Sequence, residues 1–121
     1  MFKGGRLAAL IAIAAGLACP SGVGAKALPV WTPVATAPVG QDAILNAVGG
    51  AAANDRWAVG SQGAQPKALA EHWDGTAWSV VGTQDPGTTD ALNGVSAAGT
   101  SAVWAVGSQT TGGVTSTLIE R

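Results

Sequence analysis

Tyrosine is absent from the 121 residues, and cysteine, histidine, methionine and phenylalanine occur once each. A single cysteine excludes an internal disulfide and any cysteine-rich zinc site. A single histidine excludes every site that needs two. Charged residues make up only 11% and the formal net charge is −1, so no basic face points to a nucleic-acid partner. What the chain does have is apolar bulk, 47% of its residues, together with 18 glycines, 6 prolines and 5 tryptophans. That balance is wrong for a disordered solvating chain, and the length leaves room for one small domain.

The first 27 residues read as a targeting segment. Lys3 and Arg6 precede an apolar run, Leu7–Ala18, of about a dozen residues, where a membrane-spanning helix needs roughly 20. Ala25-Lys26-Ala27 supplies the small-x-small pattern of a signal-peptidase site, with Val23-Gly24-Ala25 as the alternative two residues earlier. The expectation is a signal peptide helix over 1–27, a mature chain over 28–121, export to the exterior, and no integral membrane span after cleavage. Cys19 ends the apolar run where a lipoprotein would carry its lipidated cysteine. The preceding Gly16-Leu17-Ala18 departs from that pattern, so a lipid anchor through Cys19 is the alternative location. Cleavage removes the only Cys, Phe and Met, and leaves Arg56, Lys67 and Arg121 facing all seven acidic residues. A cysteine-free mature chain suits an oxidising exterior.

An internal repeat governs the rest. Trp57-Ala58-Val59-Gly60-Ser61-Gln62 recurs unchanged as Trp104-Ala105-Val106-Gly107-Ser108-Gln109, 47 residues on. Leu45, Asn46, Val48 and Trp31 have counterparts Leu92, Asn93, Val95 and Trp78 at the same spacing. Over 42–62 against 89–109, 10 of 21 positions are identical without a gap. Leu69-Ala70-Glu71-His72 matches Leu118-Ile119-Glu120-Arg121 after a two-residue insertion at Gly112-Gly113. The first repeat spans 44–81 and the second 91–121.

Each repeat reads as four short strands: Leu45–Val48 or Leu92–Ser96, then Arg56–Ser61 or Ala102–Ser108, then Leu69–Trp73, then Trp78–Val81. Alternating apolar residues carry the second, and the Asp74-Gly75 pair signals the hairpin between the third and fourth. The expected joints are Gly49–Asn54, Gly60–Pro66, Gly82–Thr89 and Gly107–Val114. No stretch after residue 27 has helical periodicity, so the expected fold is all-β. Four strands per unit at a period in the forties describe a propeller blade.

The pattern L-N-x-V…W-A-V-G-S…L-x-E-H-W-D-G-T-x-W-S-V-V resembles the Trp-rich repeats of secreted bacterial propeller-like proteins, distantly related to Kelch and galactose-oxidase-type propellers. The resemblance covers residues 30–121. It implies two four-stranded blades of an incomplete β-propeller and a non-catalytic binding or scaffold role. Propellers carry 4–8 blades, so two blades also fit a truncated piece of a longer propeller. The alternative is the remnant of a secreted propeller enzyme, a glycan-active hydrolase or oxidase whose active site lies in missing blades. A copper oxidase site of the galactose-oxidase kind would require several His and Tyr ligands, which this chain lacks.

The frame of the repeat adds one more expectation. Val30–Val34 aligns with Ala77–Val81, so the mature chain opens on a lone fourth strand that completes the second blade, either by closure of the chain or between two to four copies joined head to tail. The expected partners are copies of itself through open blade edges, and a protein or carbohydrate ligand. Among residues that could carry chemistry, His72 has only Glu71 beside it in sequence, and the two point to opposite strand faces. Ser61 and Ser108 lack the spacing of a nucleophile elbow and read as turn residues. Asp74 also reads as a turn residue. The tryptophans Trp57, Trp73, Trp78 and Trp104 read as packing between blades rather than as sugar platforms. No catalytic, cofactor-binding or metal-binding residue is named.

Overall fold

The computed structural model describes residues 27–121, so Cys19 and all of the expected signal segment except Ala27 lie outside the described residues. The chain divides at Thr32/Pro33. Residues 27–32 are exposed and carry no regular structure, while Pro33–Arg121 holds every strand found among the described residues. Among the described residues, no helix is long and apolar enough to cross a membrane.

Seven strands form two antiparallel sheets: β1 (Ile44–Ala52), β2 (Asp55–Gln62), β3 (Lys67–Trp73) and β4 (Trp78–Val81), then β5 (Thr89–Gly99), β6 (Ala102–Thr111) and β7 (Val114–Glu120). Each sheet is a meander, ordered β1-β2-β3-β4 and β5-β6-β7. The all-β class and the strand order agree with the repeat. Several joints are shorter than the glycine positions suggest. β1 runs through Gly49 and Gly50 to Ala52, leaving the turn at Ala53-Asn54, and β6 runs to Thr111, leaving only Gly112-Gly113. Both of those glycines have positive φ, 59° and 81°, which is what a tight two-residue hairpin turn demands. Residues 30–34 are not in a strand, and the second sheet has three strands where the first has four.

Ser61 and Ser108, expected in turns, are paired strand residues, Ser61 with Ile44 and Ala68, and Ser108 with Ala91 and Thr117. The reason lies in the glycine before each. Gly60 and Gly107 face bulges in the neighbouring strand, where the register slips past Asn46 in β1 and past Asn93 in β5. A Cβ on Gly60 would meet the carbonyl oxygen of Ile44, and one on Gly107 that of Ala91. The repeated glycine thus admits a close backbone approach inside a strand and does not end one.

Strand register places Ala47, Val59, Ala70 and Val81 in one row across β1–β4. This face of the first sheet packs on the second, whose contributing residues are Leu92, Val95, Ala105 and Leu118. The buried core is thus a sheet-on-sheet seam, with β5 lying against β1, β2 and β3. Between the edge strands β1 and β5, Asn46 Nδ2 donates to Leu92 O at 2.8 Å and to Asn93 Oδ1 at 3.3 Å. Ala58, Leu69 and Glu71, on the opposite face of the first sheet, are also buried.

Candidate functional site

The one imidazole finds its acid on the neighbouring strand. Register sets His72 of β3 opposite Trp57 of β2, two residues on from Asp55. His72 Nε2 lies 2.8 Å from Asp55 Oδ1, and its ring stacks on Trp57 at 4.5 Å between centroids, tilted by 34°. Glu71, the sequence neighbour, points to the other face. Asp55 was not legible as the partner because 17 residues separate it from His72; only the β2–β3 register joins them. Ser79 Oγ donates to the His72 carbonyl oxygen at 3.4 Å, not to the ring. Among the described residues the imidazole is hydrogen-bonded to Asp55 and to no hydroxyl or thiol. The second repeat has Ala102 for Asp55 and Arg121 for His72. There the guanidinium of Arg121 sits 5.4 Å from the Trp104 ring centre, a cation–π contact in place of the imidazole stack.

Between the sheets runs a cleft of about 160 Å³, lined by Trp57, Val59, Ala70, Leu92, Ala105 and Glu120 among others. Trp57 Nε1 and Glu120 Oε1 are buried there without a hydrogen-bond partner. Burial pushes the Glu120 carboxyl above its ordinary range, and the Gln84 N–H, 3.4 Å from Oε2, works against that shift. Sites for drug-sized ligands run to roughly 300–1,000 Å³. The cleft is too small for such a ligand, and its unpartnered Trp57 Nε1 and Glu120 Oε1 are groups that ordered water binds.

A second polar cluster ties the sheets together. Lys67 Nζ lies 3.2 Å from Asp90 Oδ2 and donates to Gly87 O at 2.6 Å; Gly87 N donates to Asp90 Oδ1 at 3.0 Å. Asp85 Oδ1 accepts from Ala68 N at 2.9 Å, and Asp90 N donates to Pro66 O at 2.8 Å. Every member has its partner, so the cluster fastens the β4–β5 connection to β3. Asp74 is a turn residue, as expected. Its Oδ1 accepts from Thr76 N and Ala77 N at 2.8 and 2.9 Å, and these two N–H groups hold its carboxyl below the usual range.

The tryptophans divide by location. Trp73 and Trp78 pair across the β3–β4 hairpin at 5.8 Å, and Trp57 stacks on His72 beside the seam. Trp104, at the repeat position of Trp57, is 49% exposed; among the described residues no sheet lies over its side of β6. Around it, Val106 is 48% and Ile119 63% exposed, at the positions of Val59 and Ala70. Trp104, Val106, Ile119 and Arg121 form an open apolar face with one cation at its edge. Its first-repeat equivalent is the face that the second sheet covers. No protein-family model, curated protein or solved structure matches the chain.

Proposed function

We propose that this chain is a secreted, non-catalytic β-propeller-like repeat module with a binding or scaffold role, acting through the uncovered face of its second sheet. One observation carries the reading. The same repeat positions that lie in the seam in the first sheet (Val59, Ala70) stand open in the second (Val106, Ile119). Exposed apolar surface of this kind marks an interaction site.

The test is binding with a matched variant. The exported chain and its Trp104→Ser/Ile119→Ser double variant are applied to immobilised glycans and purified secreted proteins, with circular dichroism checking that both are folded. Saturable binding, or self-association, that the variant loses supports the reading. Equal background from both chains, with the wild type monomeric, overturns it. Turnover of a glycan that His72→Ala abolishes would instead establish an enzyme.

A further inference from the structure

We propose that a second copy of this chain docks head to tail on the second sheet, adding its residues 30–34 as that sheet's fourth strand beside β7. The proposal rests on the reading of that sheet as an interaction surface and names its partner.

The repeat supplies the template. In the first sheet, β4 pairs with β3 through Ala70↔Val81, Glu71↔Val80 and His72↔Ser79. In the second sheet, β7 occupies the place of β3 and, among the described residues, pairs with β6 alone. Thr32, Pro33 and Val34 align with Ser79, Val80 and Val81, and they stand outside any strand, with Trp31 99% exposed. Transferring the register sets Val34 beside Ile119, Pro33 beside Glu120 and Thr32 beside Arg121. Val34 then completes the row Gly94–Val106–Ile119 as Val81 completes Ala47–Val59–Ala70.

A proline in a strand is a strict test of this register, because it has no N–H to give. In β3, the Ala68 N–H donates to Asp85 and the Ala68 carbonyl accepts from Thr83, so both groups face the β4 side. Backbone groups alternate along a strand, so Ala70 and His72 also face β4, and Glu71 faces β2. Ala70↔Val81 and His72↔Ser79 are therefore the hydrogen-bonded pairs, and the Val80 N–H points away from β3. Pro33 falls at the Val80 position. Its missing N–H costs that edge nothing, whereas a proline at 32 or 34 would remove a ladder bond.

Two further features bear on it. The residues before β1 and before β5 are each tied by a backbone bond to the far end of their hairpin, at equivalent positions but with donor and acceptor exchanged: Gly63 N donates to Gln41 O, and Thr88 N donates to Thr110 O. The stretch from Val34 to Ile44 is as long as that from Val81 to Ala91, which carries the chain from one sheet to the next. Asn46 Nδ2 bridges to Leu92 O, but Asn93 Nδ2 makes no such bond among the described residues. In the assembly it reaches Leu45 O of the second copy. Repeat order puts the sheet that residues 30–34 complete on the far side of the first sheet from the second. The acceptor is thus another copy, and the contact is heterologous, closing into a ring or continuing as a filament.

The experiment is the solution mass of the full exported chain by light scattering, for wild type, Val34→Pro and Pro33→Val. Both substitutions lie outside the strands, and circular dichroism confirms that the sheets are retained. The expected result is an assembly of two or more copies for wild type and Pro33→Val, and a drop to monomer mass for Val34→Pro. A Pro33→Cys/Glu120→Cys variant should also form a disulfide between chains, since facing residues of a non-hydrogen-bonded pair lie about 4.5 Å apart at Cα. A monomeric wild type, a Val34→Pro chain that assembles as wild type does, or a disulfide closed within one chain overturns the proposal. A monomer that still binds a glycan or foreign protein through Trp104 and Ile119 would sink this proposal and leave the interaction-module reading standing.

Discussion

Gly107 sits where its neighbour's backbone leaves no room for a side chain. A Cβ there would meet Ala91 O and the Leu92 backbone, and backbone cannot step aside as a flexible side-chain tip can. Gly107→Ala should cost about 1–3 kcal/mol, the range for overpacking a closed site, and Gly60→Ala should cost a similar amount. Gly99→Ala, with nothing within reach of its Cβ, is the control and should change stability little; thermal unfolding of the three variants checks this. Asp74 makes a different residue-scale prediction. Its carboxyl is held low by the Thr76 and Ala77 N–H groups, so its contribution to stability is present above the ordinary carboxylate range. That contribution is lost as pH falls through the lowered folded-state value. Asp74→Asn should therefore flatten the acid limb of a stability–pH curve and leave the neutral region close to wild type apart from a uniform offset.

At the scale of elements, the connection between β4 and β5 decides how one sheet sits on the next. It is short, it carries Asp85 and Gly87, and it is fastened to β3 through Ala68 and Lys67. Asp90 is fully buried while Lys67 keeps part of its side chain in water. Lys67→Met should leave the Asp90 carboxylate with Gly87 N as its remaining donor and destabilise by about 2 kcal/mol, near the lower end for a broken buried pair because Lys67 is partly solvated. Denaturant unfolding of Lys67→Met beside Lys67→Met/Asp90→Asn tests the assignment: the double variant should recover part of the loss. Apolar alternation and the 47-residue period made the strands themselves readable, since both depend only on local sequence. Strand ends were less readable. Gly49, Gly50, Gly60 and Gly107 look like turn punctuation in sequence but lie within strands, and their role depends on which backbone faces them.

At the scale of the whole molecule, the amino-terminal reading makes a prediction by mass. A chain exported by an expressing bacterium should lose residues 1–27, or 1–25 if the earlier site is used, and should carry no free thiol. Intact-mass spectrometry decides the matter; an uncut chain would refute the signal reading, and a lipid adduct would identify Cys19 as an anchor. The sequence by itself determined the class of the fold and its twofold repetition, because hydrophobic period and identical blocks are properties of one dimension. Tertiary structure alone decided which repeated positions are covered. Val59 and Val106 stand in the same six-residue block, yet one is in the core and the other half exposed. The difference is that the second sheet covers this face of the first. It decided the chemistry as well, since strand pairing brings Asp55 to His72 and leaves Arg121 over Trp104 in the second repeat. Such contacts depend on cross-strand register, which a linear pattern specifies only once both strands and the bulge between them are known.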